Sequence, residues 1–252
     1  MRPVCPTTRL LQPDMRSRNL TRDLVFLALL GLAAVLTIGT IQMVFLKTPV
    51  EAQMGIVQKI FYFHVPAAYA MYLGAAACFV GSVLYLWGAS DARDAVARAG
   101  AEVAVVFGVI VIVTGPLWAA KAWGQYWTWD PRLTTALLSV LIYVAYVVLR
   151  AFGGDNEAER KFAAALGFLG AINLPIIHFS VQKWSGQHTK VVSKGGGGLQ
   201  HPDMKLAFLL GMITFTLLAA VLFWNRVRIA MASARLRRAE QEAMELGFGE
   251  ED

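Results

Sequence analysis

The chemistry this chain can offer is concentrated in two places. One is the stretch Trp123-Gly124-Gln125-Tyr126-Trp127-Thr128-Trp129-Asp130-Pro131-Arg132; the other is the set of four histidines, His64, His178, His188 and His201. Three of the seven tryptophans fall inside that stretch, and an acid and a base follow at once. If the stretch is helical, Trp123, Trp127 and Asp130 lie four and three apart on one face. If it is extended, Trp127 and Trp129 share a face. Either geometry offers a flat aromatic surface beside a charge pair, which suits a large planar ligand better than an ion. The plainer alternative is an aromatic belt that only positions two helices at a membrane surface.

Two histidines on separate elements, flanking such a surface, match the needs of a haem. Iron takes an imidazole on each axial side, the macrocycle takes aromatic contact, and the propionates take basic or backbone donors. His64 precedes the second apolar run and His188 the sixth, with Arg132 and Lys190 as candidates for the propionates. Each histidine also has a plainer reading. His64 among aromatics suits an interfacial residue bonded to backbone, and His188 and His201 suit solvated loop positions. His178 falls near the end of the fifth run, three residues after Pro175. An ionisable residue at that depth is a functional candidate, with a helix-packing histidine as the simpler account.

The elements that position these residues are membrane spans. The chain is 57% hydrophobic and 16% charged, against about 25% charged in a soluble domain. The shortfall lies in long uncharged runs near the roughly 20 residues that cross the hydrocarbon as a helix. The expected fold is all-α, a bundle of six transmembrane helices. The first span is Leu24 to Leu46. Phe61 to Pro66 lead into a second that ends near Trp87, with Pro66 in its first turn, where a missing N–H costs nothing. The others are Val103 to Ala120, Leu133 to Leu149, Phe162 to Val181 with a kink at Pro175, and Met204 to Trp224. Residues 1–23 read as a mobile basic tail, 24–225 as the membrane domain and 226–252 as a second tail. Asp91, Arg93, Asp94 and Arg98 read as a charged turn, as do Arg150 to Lys161.

Six spans place both termini on one side. Lys and Arg are more numerous in the tails and even-numbered loops than in the odd-numbered ones, so the positive-inside rule puts both termini in the cytoplasm. The His64 segment, the tryptophan loop (121–132) and the last loop (182–203) then share the outer face.

The net charge of +6 resides in basic residues beside the spans. It reads as orientation and contact with membrane lipid, and no nucleic-acid partner is expected. Cys5 and Cys78 cannot form a disulfide framework, and no C-x-x-C-H attaches haem covalently. The long first apolar run is unlike a cleaved signal peptide. The expected spans hold no Asp, Glu or Arg, which argues against an ion-coupled transporter. There is no P-loop, so the chain has no ATPase motif of its own. There is no H-E-x-x-H or cysteine–histidine cluster for zinc. Gly195 to Gly198 read as a flexible tether.

Trp123-Gly-x-x-Trp127-x-Trp129-Asp130-x-Arg132-Leu133-Thr134 resembles the tryptophan-rich WWD signature of haem-handling proteins of cytochrome c maturation. Phe61-Tyr62-Phe63-His64-Val65-Pro66-Ala67-Ala68, Asn173-Leu174-Pro175-Ile176-Ile177 and the six-span size resemble the CcmC (haem exporter protein C) family, over roughly residues 24–225. That resemblance implies a protein of the bacterial cytoplasmic membrane that holds haem b at its outer, periplasmic face and loads it onto the haem chaperone CcmE. It implies as partners the ATPase subunit CcmA, the multispan subunit CcmB and the small membrane protein CcmD. It also implies His64 and His188 as axial ligands of the haem iron. Trp123, Trp127 and Trp129 would then give contact area, with Asp130 orienting the loop or the partner and Arg132 beside it. The last loop here reads Lys183-Trp184-Ser185-Gly186-Gln187-His188-Thr189, where the family usually has W-W-N-T-L-H-Q, so His201 stands as the fallback ligand.

Overall fold

The computed structural model describes residues 12–153, 156–183 and 198–246. Helix α1 spans Gln12–Gln42 and ends in a π-helical turn, Met43–Lys47. A 3-10 turn, Ile56–Ile60, leads into α2, Phe61–Trp87. Then follow α3 (Asp91–Trp123), α4 (Pro131–Phe152), α5 (Glu157–Lys183) and α6 (Pro202–Glu245). All six are long and apolar enough to cross a membrane, and the chain has the six-helix, all-α architecture of a polytopic membrane protein. Sequential helices run in alternate directions. One end of the bundle, the loop end, therefore holds the starts of α2, α4 and α6 and the C-terminus of α3. The opposite, tail end holds the connection at 88–90, the end of α4 and the start of α5.

Several helices are longer than their apolar runs suggest. At 1.5 Å per residue, the 33 residues of α3 and 44 of α6 reach about 50 Å and about 66 Å, well beyond a hydrocarbon layer of about 30 Å. The charged segment from Asp91 to Arg98 is thus not a turn but the start of α3, capped by Ser90, whose side chain accepts from the Arg93 N–H. Arg150 likewise belongs to α4, and Arg160 to α5. Helix α1 begins at Gln12, inside the segment expected to be a tail. In each case polar residues continue a helix that the apolar span has already nucleated.

Pro66 also differs from expectation. The helix starts at Phe61, so Pro66 lies inside it rather than in its first turn. The Tyr62 carbonyl, four residues back, loses its usual N–H donor. Gly211 of α6 packs over that carbonyl, so closely that a Cβ there would lie 2.8 Å from the oxygen.

The closest helix pair is α2 with α3. A Cβ added at Gly74 would fall within 3 Å of the Ala104 backbone, at Gly81 of the Ala97 backbone, and at Gly100 of the Cys78 backbone. In lipid there is no hydrophobic force between helices, and small residues that allow close van der Waals approach take its place. Elsewhere hydrogen bonds join the bundle. Thr40 of α1 meets Thr214 of α6 at 2.8 Å. Asn173 of α5 donates to the Thr135 carbonyl (2.7 Å) and to Ser139 Oγ (2.8 Å) of α4.

At the tail end, charges pair across helices. Arg150 Nη2 lies 2.8 Å from Asp94 Oδ2, with side chains only 1% and 11% exposed. Arg160 binds Asp91 at 2.8 Å. Arg238 also pairs with Asp91, Arg226 with Glu102 and Arg228 with Asp23. These bonds tie α1, α3, α4, α5 and α6 together. Breaking a buried pair leaves the remaining ion without compensation, at about 3–5 kcal/mol. Asp94→Ala is expected to destabilise the protein by about that amount. Asp94→Ala/Arg150→Met should recover most of the loss. Thermal unfolding in mild detergent, followed by tryptophan fluorescence, measures both; a double variant as unstable as the single one would refute the account.

Candidate functional site

At the loop end, α2 supplies His64 from its first turn. The ring is partly buried, with Nδ1 2.8 Å from the Thr114 hydroxyl of α3. A Cβ on the adjacent Gly115 would lie 3.3 Å from His64 Cε1, so the Nδ1–Cε1 edge of the imidazole rests on α3.

Helix α3 ends at Trp123 because Gly124 takes a left-handed conformation, φ 75°, and its N–H returns to the Ala120 carbonyl at 3.1 Å. Only glycine adopts such a cap without strain. Helix α4 restarts seven residues later with Pro131 in its first turn, where Asp130 Oδ1 accepts from the Leu133 N–H at 2.8 Å. This is an N-cap, a role the sequence reading did not assign to Asp130.

The break at Gly124 rules out the wholly helical arrangement, since Trp123 belongs to α3 and Trp127 and Trp129 to the loop. The extended alternative fits better. The rings of Trp127 and Trp129 meet at 5.7 Å, but edge to face at 77°. Trp118 and Trp123 meet at 5.7 Å and 89°. The expected flat surface is therefore two crossed aromatic pairs, the geometry that ring quadrupoles favour. Trp129 and Tyr126 are 77% and 65% exposed and face away from the bundle.

Arg132, in the first turn of α4, is close enough for its charge to act on the His64 ring and the Tyr72 hydroxyl. The Asp130 carboxylate acts on Arg132 in turn. Three polar atoms in four consecutive positions are buried with no hydrogen-bond partner among the described residues: Trp127 Nε1, Thr128 Oγ1 and Asp130 Oδ2. Leaving such groups unmade costs about 1–3 kcal/mol each. Two of them donate, and together with Arg132 they form a donor set of the kind a carboxylate ligand requires. The chemistry of this set fits a haem, with its propionates to be bound, its apolar ring to be covered and its iron to be reached by an imidazole.

The remaining histidines are placed differently. His201 caps α6, its Nδ1 accepting from the Asp203 N–H at 3.2 Å. His178 is exposed, with its ring edge-on to Phe179 at 5.1 Å, rather than packed between helices. His188 and Lys190 lie outside the described residues. Two residues of this region escaped the sequence reading. Thr114 sits in an apolar run that gives no sign of a polar contact. Lys59, in the short polar segment between the first two spans, is buried, with Nζ donating to the Phe45 carbonyl at 3.1 Å and lying 5.6 Å from the Phe45 ring.

Comparison with known proteins places this arrangement in context. A family model described as Heme exporter protein C matches residues 8–242. The chain is similar to Heme exporter protein C of Escherichia coli K12, 34% identical over 219 residues covering 84% of this chain and 86% of that one. It is similar to Heme exporter protein C of Bradyrhizobium diazoefficiens, 32% identical over 205 residues covering 81% and 78%. A putative cytochrome c biosynthesis ccmC-like mitochondrial protein of Marchantia polymorpha is 30% identical over 213 residues, 84% of this chain and 91% of its own.

The capping role of Asp130 separates two functions by substitution. Asp130→Asn retains an oxygen for the Leu133 N–H and should leave stability nearly unchanged, whereas Asp130→Ala should lose about 1 kcal/mol. Unfolding in detergent measures the difference. Equal losses would mean that the charge, not the cap, is what the loop uses.

Proposed function

This chain belongs to the haem exporter protein C family, and from that premise we propose that it binds haem b at the loop end of the bundle and delivers it to the haem chaperone CcmE in c-type cytochrome maturation. The observation that carries the reading is the convergence of α2, α3 and α4. They bring His64, the tryptophan loop and Arg132 to one end, beside three buried polar atoms that have no partner among the described residues. The basic bias of the tails and even-numbered loops supports a bacterial cytoplasmic-membrane topology with both termini inside and the tryptophan loop on the periplasmic side. CcmA, CcmB and CcmD are the proposed partners, with CcmA supplying the ATP hydrolysis for which this chain has no motif.

Each residue has a part in that reading. His64 and His188 are the axial ligands. Trp123, Trp127 and Trp129 cover the apolar ring. Trp127 Nε1, the Thr128 hydroxyl and Arg132 receive the propionates. Asp130 caps α4 and so sets where the loop ends. Haem, as cargo, supplies the vinyl carbon that the chaperone's histidine takes; the residues of this chain bind, orient and release. Because His201 already spends Nδ1 on its cap, His188 is the better second ligand.

A visible spectrum of the intact protein purified in mild detergent tests this, with His64→Ala, His188→Ala and His201→Ala alongside. We expect a Soret band in the parent that is lost or shifted in the first two variants and unchanged in the third. A colourless parent, from haem-replete cells containing the partner subunits, would refute the haem site and favour a scaffold whose aromatic loop docks a partner. Loss with His201→Ala but not His188→Ala would move the second ligand to the start of α6.

A further inference from the structure

We infer that Thr114 is a positioning residue that fixes the tautomer of His64, holding its proton on Nδ1 and leaving the Nε2 lone pair available to the site. What that lone pair binds rests on the haem reading above; the tautomer itself does not.

The argument begins with one proton. The Thr114 hydroxyl donates to the Ile110 carbonyl of its own helix at 2.6 Å, and a hydroxyl has a single hydrogen to give. Turned toward His64 instead, that hydrogen would leave two oxygens 2.6 Å apart with lone pairs opposed. Toward Nδ1, 2.8 Å away, the hydroxyl can therefore only accept, and Nδ1 must carry the hydrogen. In a neutral imidazole the other nitrogen is then an acceptor. Among the described residues Nε2 has no hydrogen-bond partner, and it is not one of the buried polar atoms left unpaired. With the Nδ1–Cε1 edge resting on Thr114 and Gly115, the accessible edge of the ring is the one with Nε2.

The helix pair makes this contact a fixed one. Facing positions on α2 and α3 are Gly74 with Ala104, Cys78 with Gly100 and Gly81 with Ala97, and their numbers add to 178 in each case, as do those of His64 and Thr114. The histidine–threonine contact is thus one further step of the same antiparallel register. The intervening steps place Ala67 opposite Val111 and Met71 opposite Phe107, and Ala67, Met71 and Phe107 are all buried. A donor on the far nitrogen that accepts no competing bond is the usual way a protein orients an imidazole ligand and raises its basicity. Here the acceptor is a hydroxyl whose own proton is committed elsewhere.

The test uses the full chain in detergent or nanodiscs, labelled with 15N-histidine, with His64→Ala to assign the ring signals. In the haem-free protein we expect His64 to show a protonated Nδ1 and an unprotonated Nε2. Thr114→Val should shift the Nδ1 signal, and Thr114→Ser should restore it. Haem titration of the same proteins should show affinity about 10-fold lower or more in Thr114→Val, close to the parent in Thr114→Ser, with a higher iron midpoint potential in the valine variant because the ligand is less basic. A proton on Nε2 in the parent overturns the inference. So does a Thr114→Val protein with unchanged ring shifts and haem affinity. A parent that takes up no haem, yet shows the Nδ1–H tautomer disturbed by Thr114→Val, removes the haem site and supports the positioning role.

Discussion

Where α2 meets α3, one side of each successive contact is a glycine: Gly74 against Ala104, Gly100 against Cys78, Gly81 against Ala97. The two backbones approach as near as backbones can, and nothing else in the bundle comes so close at so many points. In a bilayer these glycine contacts have no hydrophobic driving force behind them and draw on van der Waals packing. A single added methyl group at any of the three would hold the helices apart. The loop end depends on this. His64 reaches Thr114, and Gly115 lies flush with the imidazole, because the register set lower in the membrane is carried upward without slippage. Gly211 of α6, seated over the Tyr62 carbonyl released by Pro66, braces the same turn of α2 from its other side.

Polar groups are buried at both ends of the bundle. At the tail end, charges on α3, α4, α5 and α6 are matched across helices, as in Asp94 with Arg150 and Asp91 with Arg160. That pairing is what makes charge tolerable near a low-dielectric interior. At the loop end, Trp127, Thr128 and Asp130 each bury an atom that has no partner among the described residues, all within four positions, whereas the tail-end Glu159 Oε2 is a single such carboxylate oxygen. Unsatisfied groups so concentrated are unusual in a folded protein and call for a specific explanation. A ligand that brings its own acceptors and donors is one. The Trp127–Trp129 pair fits the same picture, since its outer ring, Trp129, is 77% exposed.

Much of this was legible in the chain itself. The six spans follow from uncharged runs of membrane length, and the family from the tryptophan stretch together with the segment around His64. Helix ends were less legible. The charged residues after Ser90 looked like a turn because charge ends a hydrophobic span, but a helix does not stop where the lipid does. Pro66 looked like a helix start because that is where proline is cheapest, yet the aromatic residues before it were already helical. Asp130 was read for its charge, although Asp followed by Pro is also the signature of an N-cap with proline in the first turn. The small residues at alternating three- and four-residue spacing on α2 and α3 carry the register, a pattern visible in the sequence that suits close helix approach in lipid.

Composition and motif, then, determine that this is a six-span membrane protein of the haem exporter protein C family, because burial in lipid and the family's signature each demand particular residue types in sequence order. Only the tertiary structure decides which of those residues meet. Thr114 is fifty positions from His64 and lies in a run with no visible reason to hold a polar contact. The hydrogen bond between them exists because two helices cross in one register and not another. A register is a property of two surfaces fitted together, and no single stretch of chain contains it.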